Sequence, residues 1–295
     1  MKTYKAGILS TSFIIMLLFS AATEEPAWVP LLDKNLSKWE MYLSYHHKND
    51  YKGDKPVDES GRTVEPIGYN QNVNNVFTVI DLEGTPVLKI SGEIYGCVYT
   101  KQEYENYDLK LKVKWGGKKW EPRIDKLMDS GILYDSQGKC GVDYWRSWML
   151  GQEFQVMEGH MGDYWNIATS AIDIRAFIPE GEMNSVASPK QEFLALGAGT
   201  DNPGFCMRSA DYESPKGEWT ELELICFGDK SLHIVNGHVV MILRNSRYID
   251  NGHSVTLNKG RIQLQSEAAE VFYKDIMIRN ITSIPKEYSS WFETK

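Results

Sequence analysis

Along Tyr107-Asp108-Leu109-Lys110-Leu111-Lys112-Val113-Lys114-Trp115, apolar and charged side chains alternate almost without a break. Successive residues of a strand point to opposite faces, so this period of two predicts a strand with one face in a core and one in water. The same period recurs at residues 77–80, 87–90, 153–157, 219–226, 232–235, 239–243, 262–265 and 271–278. Asn236-Gly237 accepts the positive φ that both central positions of a type I′ turn need, so residues 233–243 read as a tight hairpin. No long amphipathic helix or internal repeat accompanies these strands. Many short strands joined by Gly-rich turns predict one all-β unit, a sandwich or jelly roll, and argue against alternating βαβ units. Residues 44–75 break the pattern: they are polar and rich in charge and glycine, and read as a long inserted loop. His46-His47 lies within it without further ligands at metal spacing, so the pair reads as solvated. His233 and His238 bracket the hairpin turn and read as exposed.

The chain begins with Lys2 and Lys5, an apolar run over residues 8–19, and the small residues Ser20-Ala21-Ala22. This is the pattern of a secretory leader, and its apolar run falls short of the roughly 20 residues that span a bilayer. Residues 1–22 are therefore expected to be removed. Residues 23–295 would form a single domain without a membrane anchor, periplasmic or secreted. A net charge of −8 repels phosphate backbones and makes nucleic acid a poor partner. Neutral sugars tolerate such a surface. Nine Trp and sixteen Tyr suit sugar stacking as well as ordinary packing. Four cysteines allow three disulfide connectivities in an oxidising compartment. Cys226 sits at strand spacing and reads as a buried thiol, Cys140 and Cys206 lie in Gly-rich stretches and could pair, and Cys97 is left open.

Ionisable groups concentrate between Gly151 and Trp165. On a regular strand Glu153, Gln155 and Met157 share one face while Phe154, Val156 and Glu158 share the other. A β-bulge after Gln155 would bring Glu158 beside Glu153. Two carboxyl groups about 5 to 5.5 Å apart serve a retaining glycosidase as nucleophile and acid/base. The E-x-Q-x-x-E run resembles the E-x-D-x-x-E strand of laminarinase-type glucanases, with Gln155 in place of the middle Asp.

A wider resemblance runs through Trp28-Val29-Pro30-Leu31-Leu32-Asp33, Tyr107-Asp108-Leu109, Asp129-Ser130-Gly131-Ile132, Glu153-Phe154-Gln155, Gly217-Glu218-Trp219, Asn236-Gly237 and Gly260 to Glu267. In this order the chain is similar to the 3-keto-disaccharide hydrolase family. The resemblance implies a concanavalin A-like jelly roll and cleavage of 3-keto-glycosides, with the Glu153 and Gln265 strands lining a concave site. Where family members often carry an Arg after Asn-Ser-Gly-Ile and a His after Leu-Gln, this chain has Tyr134-Asp135 and Ser266-Glu267.

A carbonyl at C3 of a sugar acidifies the hydrogen on C2, so a base can remove it, the glycosidic oxygen can leave C1, and water can add afterwards. Glu153, Glu158, His160 and Glu267 are the candidate acids and bases. Gln155, Gln265, Tyr134, Trp148, Tyr164 and Trp165 are candidate substrate contacts, with Trp145 flanking the same strand. Asp163, Glu158 and His160 could hold a divalent cation that polarises the carbonyl, though no H-E-x-x-H or C-x-x-C framework accompanies them. The competing readings are an ordinary retaining glycosidase, a non-catalytic carbohydrate-binding module, and an adhesive envelope domain; the jelly roll hosts more than one of them.

Overall fold

The alternating segments pair into two layers in the computed structural model, which describes residues 1–2 and 26–293. The leader's apolar run and its expected cleavage point lie outside the described residues. The back sheet runs in the order Phe77–Leu82, Thr85–Ile90, Ala269–Asn280, Tyr107–Lys119, Thr220–Phe227, Lys230–Val235, His238–Asp250, Ser170–Phe177 and Phe193–Gly197, each strand antiparallel to the next. The front sheet runs Gly68–Tyr69, Trp39–Leu43, Gly96–Thr100, Arg261–Ser266, Asp129–Gln137, Leu150–Met157, Tyr164–Ile167 and Phe205–Met207, again antiparallel. Ser170–Phe177 also pairs with Ser185–Ala187, which lies parallel to Phe205–Met207, so hydrogen bonding passes from one sheet into the other. The architecture is the all-β jelly-roll sandwich that the strand pattern predicts.

Between the sheets, Leu109, Leu111, Val113, Leu222, Leu224 and Tyr273 meet Val98, Ile132, Tyr134, Phe154, Val156 and Leu264, all essentially inaccessible to solvent. Burying each such side chain is worth about 1.5–3 kcal/mol. The intervening Lys110, Lys112 and Lys114 stay partly exposed, as the alternation requires. At the hairpin tip Asn236 and Gly237 take φ of 47° and 77°.

Three expectations need correction. Residues 44–75 form few strand pairings, but the loop is not wholly solvated. His47 is buried, its Nε2 lies 2.8 Å from the Trp145 carbonyl, and its ring packs on Tyr51 and Tyr95. Burial pushes its pKa down to about 4. Cys140 does not approach Cys206; its Sγ lies 4.0 Å from that of Cys97, and all four cysteines are free thiols. His233 is fully buried, not exposed. Alternation points Leu232 and Ile234 inward and His233 outward, but both faces of this strand are covered. Leu232 and Ile234 pack beneath Tyr288, Trp291 and Phe292, which leaves His233 to face the intersheet core. There it stacks on Phe154 at 4.3 Å, with Nδ1 3.2 Å from the Gly162 carbonyl and Nε2 3.2 Å from the Tyr134 hydroxyl.

Burial pushes the His233 pKa down from 6.5 to about 3. The unfolded chain takes up a proton near pH 6.5 that the folded chain refuses, so stability present above that pH is lost as pH falls toward about 3. We predict that His233→Gln flattens the loss of unfolding free energy between pH 6.5 and 4.5 by about 2 kcal/mol in urea titrations; an unchanged slope would contradict the buried neutral imidazole.

Candidate active site

Strand register sets the outer face of the front sheet in rows. Glu153 lies opposite Leu133, which lies opposite Gln263. The next row holds Gln155 opposite Gly131, with Gln265 on the far side, and the third holds Met157, Asp129 and Glu267. Pairing is regular from Gln152 to Met157, so no bulge follows Gln155. Glu158 therefore does not join Glu153. Its carboxylate meets Lys216 Nζ at 2.9 Å, and that ammonium holds its pKa down.

Arg123, Asp129, Glu153, Gln155 and Glu267 share the floor of the resulting cleft. Arg123, from the loop after Tyr107–Lys119, donates through Nη2 to Glu267 Oε1 at 2.8 Å and also contacts Asp129 Oδ2. Gln155 Nε2 donates to Asp129 Oδ1 at 3.0 Å. Glu153 is 4% exposed, and no cation pairs with it among the described residues. Burial, then the charges of Glu267 and Asp129, push the Glu153 pKa well above the usual carboxylate range, with the neighbouring Gln265 amide opposing. Burial also raises Glu267 and Asp129, but Arg123 opposes the shift in both. Neither amide atom of Gln265, nor Gln155 Oε1, reaches a partner at full hydrogen-bond geometry, although all are buried. Such orphans mark places where a polar ligand would fit.

The turn after the Glu153 strand carries His160. Its Nδ1 lies 3.1 Å from Asp163 Oδ2, and the fully buried Asp163 also accepts from Arg208 Nη1 at 3.1 Å and from the Arg208 backbone at 2.9 Å. With Nδ1–H given to Asp163, Nε2 keeps the lone pair that can take a proton. These contacts commit Asp163 to His160 and Arg208 and Glu158 to Lys216, so the expected cation ligands do not converge. No cluster of three or more His, Cys, Asp or Glu among the described residues is arranged to hold a metal ion.

Aromatic walls close the cleft. Asp143 caps the loop below Trp145 and Trp148, accepting from the backbone N–H of Trp145, Ser147 and Trp148 at 2.8, 2.8 and 2.7 Å. Tyr51 from the inserted loop stacks on Trp145 at 5.2 Å, and Trp148 Nε1 donates to the Gly96 carbonyl at 2.9 Å. On the other side Trp165 packs against Phe205. The cavity measures about 600 Å³, within the usual range for small-molecule sites, and its lining includes Arg123, Asp129, Glu153, Gln155, His160 and Glu267. Tyr134 and Tyr164, expected here, face the other way. Tyr134 shares the inward face of Ile132, two residues before it, and its hydroxyl lies 3.0 Å from Ser231 Oγ. Tyr164 stands opposite the inward Phe154 and donates to Gln152 Oε1 at 2.6 Å.

Residues 27–279 match the sequence model of the 3-keto-alpha-glucoside-1,2-lyase-like domain. The chain belongs to this family. Membership gives the protein a carbohydrate-directed role, glycosidase-like or carbohydrate-binding. No curated protein matches the sequence significantly. Among solved structures it is similar to a candidate glycosyl hydrolase from Parabacteroides distasonis, at 19% identity and TM-score 0.44, covering 86% of this chain and 100% of that one. It is also similar to the fourth domain of an extracellular arabinanase from Geobacillus stearothermophilus in complex with arabinotriose, at 12% identity and TM-score 0.37, covering 86% and 100%. A carbohydrate-binding module from Bacillus subtilis is similar over 69% of this chain and 92% of its own, at 11% identity and TM-score 0.37. No helix among the described residues is long and apolar enough to cross a membrane.

Sequence reasoning passed over Arg123, Asp143 and Phe205, and met Asp129 and Gly131 only inside a motif. The signal for Gly131 was that motif. A Cβ there would lie 2.3 Å from Glu153 Oε1 and 2.4 Å from Gln265 Oε1, so only glycine leaves both side chains in place. For this lyase-like domain we predict that Gly131→Ala weakens carbohydrate binding or turnover at least about tenfold, about 1.4 kcal/mol or more, while the chain still folds by circular dichroism. Unchanged function would show that the Glu153 and Gln265 positions are not critical.

Proposed function

We propose that this domain cleaves the glycosidic bond of a 3-keto-glycoside by elimination across C1 and C2. The observation that carries the reading is a buried carboxyl with no cation partner, Glu153, lining the same cleft as the His160–Asp163 pair. His160 Nε2 takes the proton from C2, and the electron pair is delocalised into the C3 carbonyl as an enolate. The enolate collapses to form the C1–C2 double bond and break the C1–O bond, while Glu153 gives its proton to the leaving oxygen. Its raised pKa favours the protonated form that a general acid needs. Gln155 lines the cleft with its Oε1 left without a partner, and it is the amide placed to meet the hydroxyls beside the 3-oxo group, while Gln265 lies behind it next to Glu153. Addition of water at C1 then releases the free 3-keto-sugar: Glu153 takes a proton from the water, and His160 returns its proton to C2. Glu267 and Asp129 hold Arg123 in the cleft, and burial followed by the charge of Glu267 raises the Glu153 pKa. The leader-like residues 1–22 support export as the setting for this reaction.

The test is turnover of residues 23–295 on 3-keto-trehalose and 3-keto-glucosides beside the unoxidised sugars. We expect cleavage of the keto-sugars alone, and kcat lowered about 10²–10⁴-fold by Glu153→Gln or His160→Asn. Equal cleavage of unoxidised glycosides would point to an ordinary glycosidase. No cleavage of any sugar, with binding retained in Glu153→Gln, would leave a binding module.

A further inference from the structure

We propose that the leaving-group side of the cleft takes a flat aromatic aglycone, so that the preferred substrates are aryl 3-keto-glycosides; this rests on the elimination reading above. Glu153 stands at a seam. On one side its sheet neighbours are Gln155, Gln265, Asp129 and Glu267, with Arg123 over the last two. On the other, Trp165 lies directly opposite Glu153 and Phe205 directly opposite Trp165. The two rings meet at 4.5 Å, and Trp165 keeps 43% of its surface exposed. A tryptophan left that open, beside a buried carboxyl, is a face without an occupant.

The chemistry of this side favours an aromatic ring over a second sugar. Ile167 and Ala168 continue the lining after Trp165, and the one side-chain donor among them is already used: Asn166 Nδ2 donates to the Ala168 and Ser170 carbonyls at 3.2 and 3.1 Å. A second sugar ring would lose water from several hydroxyls and find few donors to replace it. An aromatic ring has no such groups to desolvate and gains offset or tilted packing on Trp165. Since Glu153 protonates the oxygen that leaves C1, the departing group lies beside Glu153, against the residue opposite it. The C1–O bond breaks, the phenolic oxygen takes the Glu153 proton, and a phenol departs.

The experiment compares phenyl and methyl 3-keto-glucosides in turnover, and phenyl and methyl glucosides in binding by tryptophan fluorescence, for the wild-type chain and Trp165→Ala. We expect affinity to favour the phenyl glucoside at least about tenfold and kcat/KM to favour the phenyl 3-keto-glucoside, and Trp165→Ala to erase the affinity preference and to lower kcat/KM more for the phenyl than for the methyl compound. Equal handling of phenyl and methyl compounds by the wild type, or an equal loss on both in the variant, would overturn the inference while leaving elimination intact. Failure of every 3-keto-glucoside to react would sink the elimination reading instead, and the binding preference would still decide what the Trp165 side accepts.

Discussion

Three carboxyl groups, Asp129, Glu153 and Glu267, lie buried at the floor of one cleft beside the guanidinium of Arg123, while Asp143 in the same lining is capped by backbone N–H groups. Isolated charges in such surroundings cost far more than they return, and a buried acid without a partner gives up its charge by keeping its proton. Arg123 contacts Asp129 and Glu267 and opposes the rise of both, whereas Glu153 has no such cation beside it among the described residues. The acid of the proposed reaction is thus set by electrostatics around it more than by its own residue type.

The sandwich enforces that arrangement. Asp129 and Glu153 come from two adjacent front-sheet strands and Glu267 directly follows the third, and the inward faces of these strands, Ile132, Phe154, Val156 and Leu264, are locked into the intersheet core. A slip of one residue in any of them would turn its apolar set outward, so core burial fixes which side chains face the cleft. Gly131 removes the one side chain that would separate Glu153 from Gln265. The inserted loop adds rigidity from above, since His47 and Tyr51 pack against Trp145 and tie the aromatic wall to the rest of the molecule.

Much of the fold was legible because alternation is a local signal. Leu109, Leu111 and Val113 announce their face without reference to anything else in the chain. The same rule separates Glu153 and Gln155 from Phe154 and Val156, and it also separates Glu158; the bulge invoked to bring Glu158 back is absent. What was not legible depended on distant partners. His233 is buried because Tyr288, Trp291 and Phe292 cover the opposite face of its strand, and no pattern near His233 encodes that cover. Arg123 sits in a loop without periodicity, and its significance arises only when Asp129 and Glu267 meet beside it. Tyr134 and Tyr164 looked like sugar platforms by composition, whereas their position in the alternation already pointed them into the core.

The central claim is that Glu153 holds the proton of the proposed general acid because it is buried beside Glu267 while Arg123 pairs with Glu267 and Asp129. The most direct measurement is infrared difference spectroscopy of the carboxyl C=O stretch at neutral pH, comparing the wild type with Glu153→Gln. The account predicts a protonated-carboxyl band that disappears in the variant. A wild-type spectrum in which Glu153 contributes only carboxylate bands at that pH would contradict it.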